Sequence, residues 1–122
     1  MKLKGKAALV TGAGGGLGSA IAKRFAAEGA SVLCTDLELE KAEFTVTAIT
    51  KNGGTANALA ANVADSDDCE AQVDETIQRY GRIDIAVNNA GIALHRLALE
   101  TSLEDWQQVL DINLTGSFLT AK

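Results

Sequence analysis

Thr11-Gly12-Ala13-Gly14-Gly15-Gly16-Leu17-Gly18 is the stretch on which the fold turns. The apolar run Ala7-Ala8-Leu9-Val10 precedes it, and the helix-like stretch Ser19 to Glu28 follows it. Strand, glycine loop and helix in that order make a setting for phosphate. Glycine has no Cβ, so the chain can turn tightly and a ligand can approach the backbone. The unpaired N–H groups and positive dipole end of the next helix then face the anion. An acidic residue belongs about 20 residues on, at the tip of the second strand, to bind a ribose diol. Asp36 stands there, after Ser31-Val32-Leu33-Cys34-Thr35. No Gly-Lys-Ser/Thr follows the loop, which argues against a kinase or GTPase.

Working outward, strands and helices alternate. Lys6 to Thr11 is a continuous apolar strand, as in a parallel sheet covered on both faces. Gly16 to Glu28 is a helix with Leu17, Ile21, Ala22 and Phe25 at helical spacing, stopped by Gly29. A strand at Ser31 to Asp36, a helix at Glu38 to Lys51 and an alanine-rich strand at Ala56 to Val63 follow. Asp67 to Tyr80 is a third helix, its first turn crowded by Asp67, Asp68 and Glu70, where negative charge suits the dipole. Ile83 to Asn88 is a fourth strand, and Asn89 to Glu100 is a loop containing His95. Ser102 opens a fourth helix with Asp105 three residues on, a variant of the capping box. Such alternation implies right-handed crossovers and one α/β domain over residues 1–122. It is a doubly wound parallel sheet of order 3-2-1-4 in three α/β/α layers. Ligand then binds at the carboxyl ends of strands one and four, where the order reverses.

Composition narrows the partners. The chain has 122 residues, a net charge of −5 and a pI near 4.7, which argues against nucleic acid. Aromatic residues make up 4%, too few for a base-stacking surface. No apolar run approaches the roughly 18 residues needed to span a membrane. Lys2, Lys4 and Lys6 resemble a signal-peptide start, but the apolar run after them breaks at Gly12. Cys34 and Cys69 form neither a disulfide framework nor a metal-ligand spacing, so no metal and a reducing, cytoplasmic setting are expected. Both thiols are expected to be inert, His95 solvated and Trp106 packed in the core.

Further along the chain stand Asn88-Asn89-Ala90-Gly91 and Asp105-Trp106-Gln107-Gln108-Val109-Leu110-Asp111-Ile112-Asn113. With the glycine loop and Asp36, in this order and spacing, the sequence resembles the N-terminal half of a short-chain dehydrogenase/reductase over its whole length. The resemblance implies a Rossmann-type fold, a nicotinamide cofactor and hydride transfer between an alcohol and a ketone. It would place Gly12, Gly16, Leu17 and Gly18 around the pyrophosphate. Asp36 and Leu37 would sit by the adenine ribose, and Asn62-Val63 near adenine. Asn88, Ala90 and Gly91 would border the ribose and nicotinamide. Asn113 would match the asparagine that helps hold a proton-relay water. Asp36, with no basic residue at Gly15 or Leu37, argues for NAD(H) rather than NADP(H). Asn62 departs from the family's usual aspartate, although an amide oxygen can still accept from an adenine amino group.

The family's serine, and its tyrosine with a lysine four residues on, have no counterpart here. Tyr80 is followed by Gly81-Arg82-Ile83-Asp84. The chain therefore reads as truncated after the fourth strand and the following helix, and is expected to lack turnover alone. A homo-oligomer is expected, formed through the open edge at Ile83 to Val87 and the stripe Leu110, Leu114 and Phe118. Competing readings stay open. The chain could be a nucleotide-binding or self-associating module without catalysis. A methyltransferase, which also uses a glycine loop and an acid after strand two, leaves NNAG unexplained. Asn88 and Asn89 are also turn formers, Asn88 is a candidate to bond neighbouring strand ends, and Asn113 could merely kink a helix.

Overall fold

The computed structural model describes residues 1–91 and 101–121. Its sheet has four parallel strands in the order β3-β2-β1-β4: β1 Ala7–Thr11, β2 Ser31–Asp36, β3 Thr55–Ala60 and β4 Ile85–Val87. This is the expected order. All five residues of β1 are buried, because β1 pairs with β2 and β4 and is covered by helices above and below. α1 (Gly16–Ala27) and α2 (Leu39–Lys51) lie on one face, and α3 (Ser66–Tyr80) lies on the other. After the loop come α4 (Leu103–Leu110), a π-helical turn at Asp111–Thr115 and α5 (Gly116–Ala121), with helical backbone at both junctions. α5 packs on α3.

The two faces are filled differently. Strand residues alternate sides. Val10, Val32 and Cys34 join Ala22, Ala26, Ala42 and Ile49 in an apolar core under α1 and α2. Under α3 the apolar cluster is small, Val63, Cys69 and Ile112. Leu9 and Leu33 are fully buried on this same face, and a buried polar chain runs beside them: Thr35 Oγ1 donates to Gln72 Oε1 (2.9 Å) and Gln72 Nε2 donates to Thr120 Oγ1 (3.0 Å). Thr120 in turn contacts Cys69 Sγ (3.4 Å), whose thiol donates to the Val63 carbonyl (3.2 Å).

Strand and helix ends follow local chemistry. β3 stops at Ala60, short of the expected Val63. Ala61 N–H bonds the Asp36 carbonyl, and Asn62 Oδ1 then accepts from Ala64 N–H (2.9 Å) and turns the chain. α3 begins one residue earlier than its acidic run indicated, because Asp65 Oδ1 caps it from Asp67 N–H (2.8 Å) and Asp68 N–H (3.2 Å). Gly81 closes it in the left-handed region (φ 79°). Ser102 Oγ caps α4 from Asp105 N–H (3.0 Å), as the sequence indicated. β4 is shorter than expected. Asp84 is used instead to tie its entrance to β1: its N–H reaches the Ala7 carbonyl and its Oδ2 accepts from Ala7 N–H (2.9 Å).

One expectation fails. Trp106 is not in the core but 56% exposed, and Leu103, Leu114 and Phe118 along the same helical stretch are exposed as well. Among the described residues its segment packs mainly on the π-helical turn rather than on the sheet, and no second layer covers it. His95 and most of the loop that carries it lie outside the described residues.

Candidate functional site

The loop after β1 is built to keep its backbone accessible. Gly12 takes φ 64°, a left-handed conformation that glycine adopts without strain. Ala13 is fully buried and anchors the loop: its N–H donates to the Thr35 carbonyl (2.9 Å) and its carbonyl accepts from Thr45 Oγ1 (2.8 Å). Gly15 is the N-cap of α1, and no side chain caps it. The helix start therefore offers main-chain N–H groups to an anion.

Gly18 seals the loop from beneath. A Cβ there would stand 2.2 Å from the Gly12 carbonyl oxygen and 2.6 Å from Asn89 Nδ2. Asn89 Nδ2 donates to that same carbonyl (3.2 Å), which joins the glycine loop to the turn after β4. It is Asn89, not Asn88, whose side chain bonds across the strand ends; Asn88 is exposed. Thr11, at the tip of β1, completes the junction. Its Oγ1 accepts from Asn89 N–H (3.1 Å) and Ala90 N–H (3.0 Å) and donates to the Val87 carbonyl (3.3 Å). One buried hydroxyl thus fixes the turn at the point where the strand order reverses. The sequence reading placed Thr11 in the strand and missed this role; a hydroxyl at the last position of a buried strand was the available signal.

A cleft of about 250 Å³ opens at these carboxyl ends. Of the expected residues, Gly12, Asp36, Leu37, Asn62, Val63, Ala90 and Gly91 line it together. Gly16 and Leu17 do not line it; they stand at the exposed first turn of α1, where Leu17 is 69% exposed. Thr35, Glu38, Lys41, Ala61 and Ile112, which sequence reasoning did not single out, complete the wall.

Asp36 is held by main chain. Its Oδ2 accepts from Gly14 N–H (3.1 Å) and its Oδ1 from Glu38 N–H (3.1 Å). Lys41 is one turn into α2, paired with Glu38 at 2.9 Å; that carboxylate raises the Lys41 pKa, and Asp36 adds a smaller push the same way. Asn62 is fixed by Asp68 Oδ2 at its N–H (2.9 Å), while its own Oδ1 serves the turn to Ala64. Asn113 lies on the π-helical turn, with its Oδ1 3.1 Å from where a Cβ on Gly91 would stand. The bulge brings this side chain against the turn after β4.

Tyr80 is used elsewhere. Its hydroxyl donates to the Val32 carbonyl (2.9 Å) and accepts from Asn57 Nδ2 (2.9 Å), and burial raises its pKa. Cys34, buried in β2, has its thiol pushed up to about 12 by burial. Among the described residues, no group of three or more His, Cys, Asp or Glu is placed to hold a metal ion, and no helix is long and apolar enough to cross a membrane.

The model of the short chain dehydrogenase family matches residues 6–122. A 3-oxoacyl-(acyl-carrier-protein) reductase of Synechocystis sp. is 46% identical over 98% of this chain and 49% of its own length. A D-threitol dehydrogenase of Mycolicibacterium smegmatis is 44% identical over 97% of this chain and 45% of its own. Among solved structures, a hydroxysteroid dehydrogenase from Escherichia coli superposes with a TM-score of 0.93 at 33% identity, covering 98% of this chain and 51% of that one. The chain spans about half the length of the curated relatives it matches.

Proposed function

Because the chain belongs to the short chain dehydrogenase family, we propose that it binds NAD(H) in the cleft and serves hydride transfer between an alcohol and a ketone. The observation that carries this reading is the Asp36 carboxylate, fixed by two backbone N–H groups on the wall of the cleft beside the glycine loop. A carboxylate there accepts from a ribose diol and repels a phosphate at the same place. Two unit charges about 4 Å apart at an effective dielectric near 20 interact by roughly 4 kcal/mol, an upper guide because Asp36 is partly exposed.

The residues fit the dinucleotide. Gly12 and Gly18 let the loop pack closely on the turn after β4, where a Cβ would clash, and the α1 terminus is uncapped by any side chain. Gly12, Gly16, Leu17 and Gly18 would hold the pyrophosphate, Asp36 and Leu37 the ribose, and Asn62 and Val63 the adenine. Asn88, Ala90 and Gly91 would flank the nicotinamide side. The cofactor, when bound, supplies the hydride acceptor or donor. Asn113 would orient a water for proton movement. The relatives are named for a 3-oxoacyl group and for D-threitol, so the substrate class stays at alcohol or ketone.

Titrating NAD(H) and NADP(H) into the protein, then repeating with Asp36→Ala, tests the assignment. Tighter binding of NADP(H) by the unmutated chain overturns it. A second reading, cofactor binding without turnover, is favoured by Tyr80, whose hydroxyl is committed to the Val32 carbonyl and Asn57 rather than to the cleft. Following NADH oxidation with a panel of ketones separates the two. We further propose a reducing, cytoplasmic setting, which two buried free thiols support. We also propose self-association through β4, which among the described residues bonds one neighbour in the sheet, and the exposed apolar residues of α4 and α5. Light scattering, with Val87→Lys as the disrupting variant, tests it; a monomer at tens of micromolar refutes it.

A further inference from the structure

Resting on the dinucleotide reading above, we propose that Gly14 is the positioning residue for Asp36, and through it sets the discrimination between a ribose diol and a ribose phosphate. The glycines of the loop divide by what they touch. Gly12 and Gly18 face the turn after β4, where a Cβ would meet Ala90, Asn89 or the Gly12 carbonyl. Gly15 has ordinary clearance, 3.6 Å from the Gly12 carbonyl oxygen, and Gly16 has open space. Gly14 alone among them faces Asp36. A Cβ on it would stand 2.8 Å from Asp36 Oδ2, 2.4 Å from Lys41 Cβ and 2.9 Å from the Lys41 carbonyl carbon.

Two of those three atoms cannot yield cheaply. The Lys41 atoms belong to the backbone and first side-chain carbon of α2, which is held to the loop through Thr45 Oγ1 and the Ala13 carbonyl (2.8 Å). The atom that can move is the carboxylate oxygen. Moving it breaks the bond from Gly14 N–H to Oδ2 (3.1 Å), one of the two main-chain bonds that fix both carboxylate oxygens. A side chain at position 14 therefore displaces the carboxylate from the diol position and also presses the loop against α2; the first effect acts on the diol and phosphate unequally, the second on both cofactors alike. Gly14 contributes its N–H as the donor and its missing Cβ as the room for the acceptor.

The test measures Kd for NAD⁺ and NADP⁺ by calorimetry in four proteins: unmutated, Gly14→Ala, Asp36→Ala and the double variant. Losing one charge-assisted hydrogen bond lowers the NADP⁺ to NAD⁺ Kd ratio by about tenfold in Gly14→Ala. The ratio falls at least as far in Asp36→Ala. In the double variant it falls no further than in Asp36→Ala, because Gly14 acts through that carboxylate. General destabilisation would weaken both cofactors together and leave the ratio unmoved. An unchanged ratio in Gly14→Ala alongside a lowered one in Asp36→Ala overturns the role of Gly14 and leaves the NAD reading standing; so does an additive fall in the double variant. No preference for NAD⁺ in the unmutated chain, no binding of either cofactor, or no response to Asp36→Ala overturns the NAD reading itself. Should Gly14→Ala not fold, amide NMR of the unmutated protein and Asp36→Ala decides. The Gly14 N–H resonance moves more than those of Gly15 and Gly16; equal shifts refute the bond.

Discussion

Replacing Gln72 by leucine isolates the polar chain under α3. Gln72 is fully buried, accepts from Thr35 Oγ1 at 2.9 Å and donates to Thr120 Oγ1 at 3.0 Å. Leucine removes both bonds and strands the Thr35 hydroxyl, which is also buried. Thr120 keeps its contact with Cys69 Sγ, so its loss is partial. A buried hydrogen-bonding group left without its partner costs about 1–3 kcal/mol. One full and one partial loss, offset by the better burial of leucine, give roughly 1–3 kcal/mol. Against a typical domain stability of about 5–15 kcal/mol, that is a large fraction. The companion variant Thr35→Val/Gln72→Leu/Thr120→Val removes every stranded partner and is expected within about 1 kcal/mol of the unmutated chain, since apolar groups of similar shape replace a whole network at little cost. Urea unfolding followed by far-UV circular dichroism measures both, with equal slopes required for the comparison. A single variant as stable as the parent, or a triple variant less stable than the single, would refute the reasoning.

Two further outcomes are expected. Thr11→Val leaves the Ala90 N–H without its acceptor, while Asn89 N–H keeps the Val87 carbonyl (3.0 Å); it should destabilise by about 1–3 kcal/mol and raise hydrogen exchange at Ala90 more than elsewhere, and uniform exchange would count against a localised role. Asp84 has its pKa held below its ordinary 3.8, first by Arg82 and then by Ala7 N–H. A depressed carboxylate contributes stability that is present above the unfolded pKa and lost as pH falls through the folded one. Unfolding midpoints should therefore drop below about pH 4, and Asp84→Asn should flatten that slope; an unchanged slope would remove Asp84 from the acid response.

Much of this architecture is local and therefore legible in the chain. TGAGGGLG between an apolar run and a helical one, Asp36 at the tip of the next strand, and stops at Gly29 and Gly81 are statements about backbone freedom and periodicity. They set the strand order and brought Gly12, Asp36, Asn62, Val63, Ala90 and Gly91 to one cleft. Boundaries slipped where a side chain outbid the ladder: Asn62 ended β3 early by turning the chain, and Asp65 began α3 by capping it. Trp106 was misplaced because an apolar residue at helical spacing does not say whether another layer covers it.

What tertiary structure alone decided is which distant atoms meet. Thr11 and Asn89 are 78 residues apart, and Gln72 and Thr120 are 48 apart. No periodicity links such pairs; they meet because parallel crossovers bring strand tips and helix faces together. The same holds for Gly14, Asp36 and Lys41. The sequence marks the first as a loop glycine and the second as a ribose acid. Only packing α2 against the loop puts Lys41 where a side chain on Gly14 would have to stand, because steric exclusion is a property of position in space and not of order along the chain.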